Sequence, residues 1–160
     1  MVMKRFAVLL LLLLLIGTMS MFAAPSRSGL GVGLSTGLPF HIGPAVEYDF
    51  GPAYAALELG YMSLGTDYFM LKMGGGYNFP TPFIQNDWSV DLYLSVGGNF
   101  GLYFMKGFTL FSMDIPVTWT WYMDDIPMKF YVQAGPLLTF SGGFNALFTG
   151  SIGAMYQFDL

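Results

Sequence analysis

The sequence predicts an all-β fold: an eight-stranded antiparallel up-and-down transmembrane β-barrel with short turns, after an N-terminal signal peptide. Three observations lead there. The chain opens on a short basic and apolar export-type segment, its composition is too apolar for a water-facing surface, and period-2 alternation returns eight times along it.

Lys4 and Arg5 precede an unbroken apolar run from Phe6 to Ile16, the length of a signal-peptide core. Gly17, Thr18 and Ser20 interrupt that run before the roughly 20 residues a bilayer-spanning helix needs. Residues 1–24 are therefore expected to be a signal peptide, with small residues Ala23 and Ala24 before Pro25 but no clean A-x-A cleavage site. Residues 25–160 are expected to form one barrel domain. There is no cysteine, which excludes a lipoprotein anchor, disulfides and thiolate metal sites together.

Charged residues make up 10% of the chain, well below the usual quarter, and aromatics make up 18%. After Ile16 no apolar stretch is long enough for a membrane helix. In lipid only helices and closed barrels satisfy their own backbone groups, so an exported chain this apolar points to a barrel.

The alternation locates the strands. From Leu30 to Phe50 the even positions are mostly apolar and the odd ones small or polar, and Gly37-Leu38-Pro39 divides the stretch into two strands. Gly51-Pro52 ends the second, because proline cannot continue a central ladder. Further strands are expected over about 53–62, 67–79, 87–104, 108–123, 127–140 and 144–159. An even count lets an antiparallel meander close without an exposed edge.

Which face points outward follows from composition. A soluble barrel would show its polar set to water, and that set would be rich in Lys and Glu. Here it is Gly, Ser, Thr, Asn, Gln and Tyr, with charges at Glu47, Asp49, Glu58, Lys72, Asp91, Asp114 and Lys129. Small neutral-polar residues suit the interior of a narrow barrel, and the apolar set suits lipid. With the N-terminus starting in the periplasm, one aromatic girdle holds Tyr48, Phe50, Tyr77, Phe79, Trp88 and Trp121. The other holds Phe40, Tyr61, Phe104 and Phe140, with outer turns near 37–39, 63–66, 105–107 and 141–143.

At the C-terminus, Ser151, Gly153, Tyr156 and Phe158 resemble the outer-membrane assembly signal: a polar residue, Gly two later, then aromatic-x-aromatic. The mature chain resembles the small eight-stranded bacterial outer-membrane barrel proteins, the OmpA membrane domain, OmpX and OmpW. The resemblance implies recognition by periplasmic chaperones and the barrel-assembly machinery, and an outer-membrane lipid environment. It departs in its loops: the relatives carry long extracellular loops, whereas the longest connection here, Pro80 to Asn86, would be periplasmic. Adhesion, which needs surface loops, is thereby disfavoured.

Chemistry-bearing motifs are few. Gly29, Gly31 and Gly33 do not make a nucleotide loop, because Thr36 holds the last glycine position and a strand continues where a helix should begin. His41, Ser35 and Glu47 raise the possibility of a lipid-modifying hydrolase resembling the outer-membrane lipid A deacylases, but by parity His41 points inward. Asp124-Asp125 in a turn offers too few oxygens for a hard cation. No enzyme activity, cofactor or metal is expected, and the few basic residues argue against nucleic acid.

Strands three and four form a hairpin centred near Gly65, which brings Glu58 opposite Lys72 as an expected lumen ion pair. Lys72 and Lys129 are the two basic residues expected inside, against Glu47, Asp49, Glu58, Asp91 and Asp114. Eight strands leave an interior about filled by side chains. The expected function is an integral outer-membrane protein with a structural envelope role and a plugged lumen. The alternative is an OmpW-like conduit or binding protein for a small hydrophobic molecule, for which the interior glycines would leave room.

Overall fold

The computed structural model describes residues 28–62, 67–79, 90–123, 126–140 and 143–159, except for the side chains of residues 28, 90, 91 and 159. The expected signal peptide, Trp88, the 80–86 connection and Asp124-Asp125 lie outside the described residues.

Among the described residues the strand segments are β1 (Ser28–Leu38), β2 (His41–Phe50), β3 (Ala53–Met62), β4 (Tyr68–Asn78), β5 (Val90–Met105), β6 (Phe108–Asp114), β7 (Val117–Met123), β8 (Met128–Thr139) and β9 (Asn145–Asp159). All pairings are antiparallel, and β9 returns to pair with β1, so the sheet closes. The alternation predicts one strand over 108–123; the structure divides it into β6 and β7 at Ile115-Pro116. Pro116 has no N–H to give the ladder. The pairing nevertheless carries across: Ile115 N donates to Pro136 O at 3.2 Å and Gly97 N donates to Pro116 O at 3.0 Å. Both pieces lie between β5 and β8, so the barrel has eight staves.

The registers fix the geometry of closure. Direct partners run from Ser28 through Phe50, Ala53, Tyr77, Val96, Val117, Ala134 and Gly150 to Leu38, ten residues farther along β1 than the start. At about 3.3 Å per residue and about 4.8 Å between strands, that shear tilts the staves by roughly 40° and gives a backbone radius of roughly 8 Å. Side chains from opposite walls therefore meet in the middle.

Among the described residues the turns at 39–40, 51–52 and 106–107 are tight. The first turn falls at Pro39-Phe40, one residue later than the alternation predicts, because β1 stays paired to Leu38. Thr36 Oγ1 donates to His41 O at 2.7 Å, and Tyr68 OH donates to Phe40 O at 2.5 Å, holding that turn against β4. Gly51 and Gly107 take positive φ values of 82° and 90° in their turns, a conformation that favours glycine.

Along most of each stave the alternation holds, but Leu92, in phase with outward Val96, is buried, and residues 145–148 are all exposed. Leu34 is 61% exposed while Ser35 beside it is 2% exposed. The exterior is thus apolar around the circumference, with exposed Val32, Leu57, Met73, Val96, Ile115, Val132 and Ile152 forming an aliphatic waist. Aromatic pairs cluster at the staves' ends: Tyr48–Phe50, Tyr77–Phe79 and Tyr156–Phe158 at one, Phe69–Phe104 and Phe140–Phe144 at the other.

Candidate functional site

The interior is where polar chemistry collects. Inward residues lie on tilted rows of register partners; one row runs Ala45, Glu58, Lys72, Gly101, Ser112, Thr139, and its neighbour runs Ala56, Gly74, Asn99, Asp114. Burying a charge here demands a partner, and two networks meet that demand.

The first network centres on Glu58. Lys72 Nζ lies 3.5 Å from Glu58 Oε2 and 3.6 Å from Asp114 Oδ2. His41 Nε2 is 2.7 Å from Glu58 Oε1, and the Ser35 hydroxyl donates to the same oxygen. Asn99 Nδ2 donates to Asp114 Oδ1 at 2.5 Å. Gly101, the partner of Lys72 on β5, places no side chain between Lys72 and the β6 residues beyond it.

The second network centres on Lys129, which is 1% exposed. Its ammonium donates to Glu47 Oε1 and lies 3.8 Å from Asp49 Oδ2. It also sits 5.9 Å from the centre of the Tyr122 ring, a cation–π contact. Asn78 Nδ2 donates to Asp49 Oδ1 at 3.2 Å, and Ser95 Oγ donates to Asn78 Oδ1 at 2.6 Å. Two carboxylates share one ammonium here, and buried Asp49 Oδ2 has no hydrogen-bond donor among the described residues.

Apolar and aromatic groups fill the remaining space. Toward the 106–107 turn, Tyr68, Met70 and Tyr103 form a buried cluster with Met62, Met105 and Leu110 packed against it. Toward the other end the Tyr93 and Tyr122 rings stack edge to face at 5.5 Å. Two interior glycines are sockets for tyrosines: a Cβ on Gly97 would stand 2.6 Å from Tyr54 OH, and one on Gly153 would stand 2.4 Å from the Tyr131 ring. Between the two networks a cavity of about 40 Å³ remains, bordered by Glu47, Tyr54, Lys72, Asn99, Thr118 and Lys129. That is space for a water or two.

Glu58 and Lys72 are direct register partners with their charged ends together. Glu47, Asp49 and Lys129 share one network, and Asp114 joins Lys72. Asp91 is paired with Tyr122 through its backbone, and its side chain is outside the described residues. Ser151 and Gly153 face inward, while Tyr156 and Phe158 are exposed on the outer face. Ser35 and His41 meet at Glu58 rather than Glu47, and both hydrogen bonds end on the carboxylate. A nucleophilic serine needs a base that accepts its proton and is oriented by the acid, which is a different order of contacts. Tyr54, Met70 and Tyr103 had no distinguishing signal in the sequence beyond inward parity.

No family model matches the chain, and no curated protein matches it. Its structure is similar to the N-terminal β-barrel domain of Pseudomonas aeruginosa OprF, with 14% sequence identity and a TM-score of 0.53 over 83% of this chain and 98% of that one. Neisserial surface protein A (NspA) aligns with 15% identity and a TM-score of 0.45 over 83% of this chain and 94% of that one. At this identity the OprF likeness shows a common barrel fold.

Proposed function

We propose that the protein is an integral barrel of a bacterial outer membrane with a structural role in the envelope and a lumen closed to solutes. One observation carries the reading: the polarity is inverted, with apolar side chains outside and charged ones packed within. Large apolar side chains are exposed all round the barrel, while Glu58, Lys72, Asp49, Asp114 and Lys129 are buried within it and leave a cavity of about 40 Å³. Water would have to solvate the wrong face, whereas lipid solvates it well. Residues 1–24 would direct export, outer-membrane lipid would surround the waist, and periplasmic chaperones and the assembly machinery would act on the C-terminal strand. The conduit reading needs room beside the glycines, and Tyr54 and Tyr131 occupy that room. A lumen packed in this way would leave little room for a substrate, which supports a protein without enzymatic activity.

Two measurements test this together. Detergent-folded protein should show heat-modifiable migration, and its addition to planar bilayers should give no stepwise conductance. A water-soluble monomer without detergent overturns the membrane reading; reproducible pore-sized steps overturn the closed lumen.

A further inference from the structure

His41 is the chain's single histidine, and it opens β2 directly after the first turn with its ring buried. Its two ring nitrogens face different oxygens. Nδ1 lies 2.8 Å from the carbonyl oxygen of Pro39, and Nε2 lies 2.7 Å from Oε1 of Glu58. A peptide carbonyl can only accept, so Nδ1 must carry a hydrogen. A carboxylate can only accept as well, so Nε2 must carry one too. A neutral imidazole has one such hydrogen, and an imidazolium has two.

The neighbours of Glu58 hold it in the accepting form. The Ser35 hydroxyl donates to Oε1, and the Lys72 ammonium lies 3.5 Å from Oε2. The charge count agrees. This network holds the carboxylates of Glu58 and Asp114 against the single ammonium of Lys72, and it becomes neutral when His41 is a cation.

We infer that His41 is a buried imidazolium that latches the β1–β2 turn to the lumen wall, and that loss of its proton loosens this turn as pH rises. The groups facing it are Glu58 on β3, Lys72 on β4, Asp114 on β6 and the turn carbonyl of Pro39. Tyr68 on β4, Tyr103 on β5 and Tyr131 on β8 are buried phenols, and Tyr68 OH donates to Phe40 O in the same turn. When the proton leaves, either Nε2 turns a lone pair on Glu58 or Nδ1 turns one on Pro39. One contact then becomes repulsive, and the buried network keeps an unbalanced negative charge. Thr36 to His41 O within the hairpin and Thr149 to Leu38 O from β9, both 2.7 Å, remain, as does Tyr68 OH to Phe40 O from β4, so the loosening is confined to the turn.

A single histidine makes the test direct. In 15N-labelled protein folded in micelles at pH 7, both ring nitrogens should resonate as N–H nitrogens, each coupled to its own proton. In Glu58→Gln one nitrogen should move to the unprotonated range at the same pH. Raising the pH of the unmodified protein until the second proton leaves should speed amide exchange at Phe40 and Ile42 roughly tenfold beyond the ordinary base-catalysed rise. Glu58→Gln should show no such step. One unprotonated ring nitrogen at pH 7 in the unmodified protein overturns the imidazolium. Equal exchange steps in both proteins overturn the latch. Should Glu58→Gln not refold, the unmodified protein decides alone: ring deprotonation without faster turn exchange overturns the proposal.

Discussion

Glu58 on β3 and Lys72 on β4 are direct register partners, and their charged ends stand 3.5 Å apart inside the barrel. The pair is not isolated, because Lys72 also reaches Asp114 at 3.6 Å and Glu58 also binds His41. That asymmetry sets the first prediction. Lys72→Met strands Asp114 and leaves Glu58 with His41 alone, and should destabilise by roughly 3–5 kcal/mol, whereas Glu58→Gln leaves Lys72 with Asp114 and should cost less. The double variant should be milder than the sum of the two. Urea unfolding in micelles measures the cycle; strict additivity would sink the pairing.

The second network makes a sharper contrast. Asp49 is the carboxylate in excess beside Lys129, and its Oδ1 accepts from Asn78. Asp49→Asn removes one negative charge at nearly constant shape and should change stability by no more than about 1 kcal/mol in either direction. Lys129→Met leaves buried Asp49 and half-buried Glu47 without their cation and should cost roughly 3–5 kcal/mol. Refolding yields and unfolding midpoints of the two variants should rank in that order, and a reversed ranking would show that Lys129 is not what holds these carboxylates.

A charge on the waist tests the membrane face. Val96 is outward and exposed, whereas Ser95 is buried and donates to Asn78. Val96→Arg should destabilise by roughly 2–4 kcal/mol in a bilayer. Alternation by itself makes Ser95→Asp look like a mild control, but the structure puts it beside Asn78 and Asp49, where a further carboxylate would be unbalanced. Ser95→Ala, which loses one hydrogen bond worth about 1 kcal/mol, is the proper comparison. If Ser95→Ala proved worse than Val96→Arg in vesicles, the lipid-facing side would have been misassigned.

The C-terminal strand separates assembly from stability. Gly153 faces inward under the Tyr131 ring, while Tyr156 and Phe158 are exposed outside. Gly153→Ala should therefore weaken the purified barrel by roughly 1–3 kcal/mol through overpacking. Tyr156→Ala with Phe158→Ala should lower insertion in cells far more than it lowers stability in micelles. Normal heat-modifiable folding of that double variant in cells would remove the assembly role.

The sequence by itself determined the staves and their faces. Side chains alternate along a strand whatever surrounds it, so the runs around Leu34, Leu57, Val96 and Ile152 announce their outward side locally. Proline and glycine punctuation marked the turns to within a residue at Pro39-Phe40, and the partnership of Glu58 with Lys72 followed from one hairpin. Only the tertiary structure decided which inward residues share a level. Glu47 and Lys129 lie 82 residues apart, and their meeting depends on β8 joining β9, β9 joining β1 and β1 joining β2 at the observed registers. The sharing of Lys72 between Glu58 and Asp114 and the seating of Tyr54 over Gly97 depend on registers across several staves in the same way. Alternation is a property of each strand, but height inside a barrel is the accumulated shear of all eight, and that quantity exists only once the ring has closed.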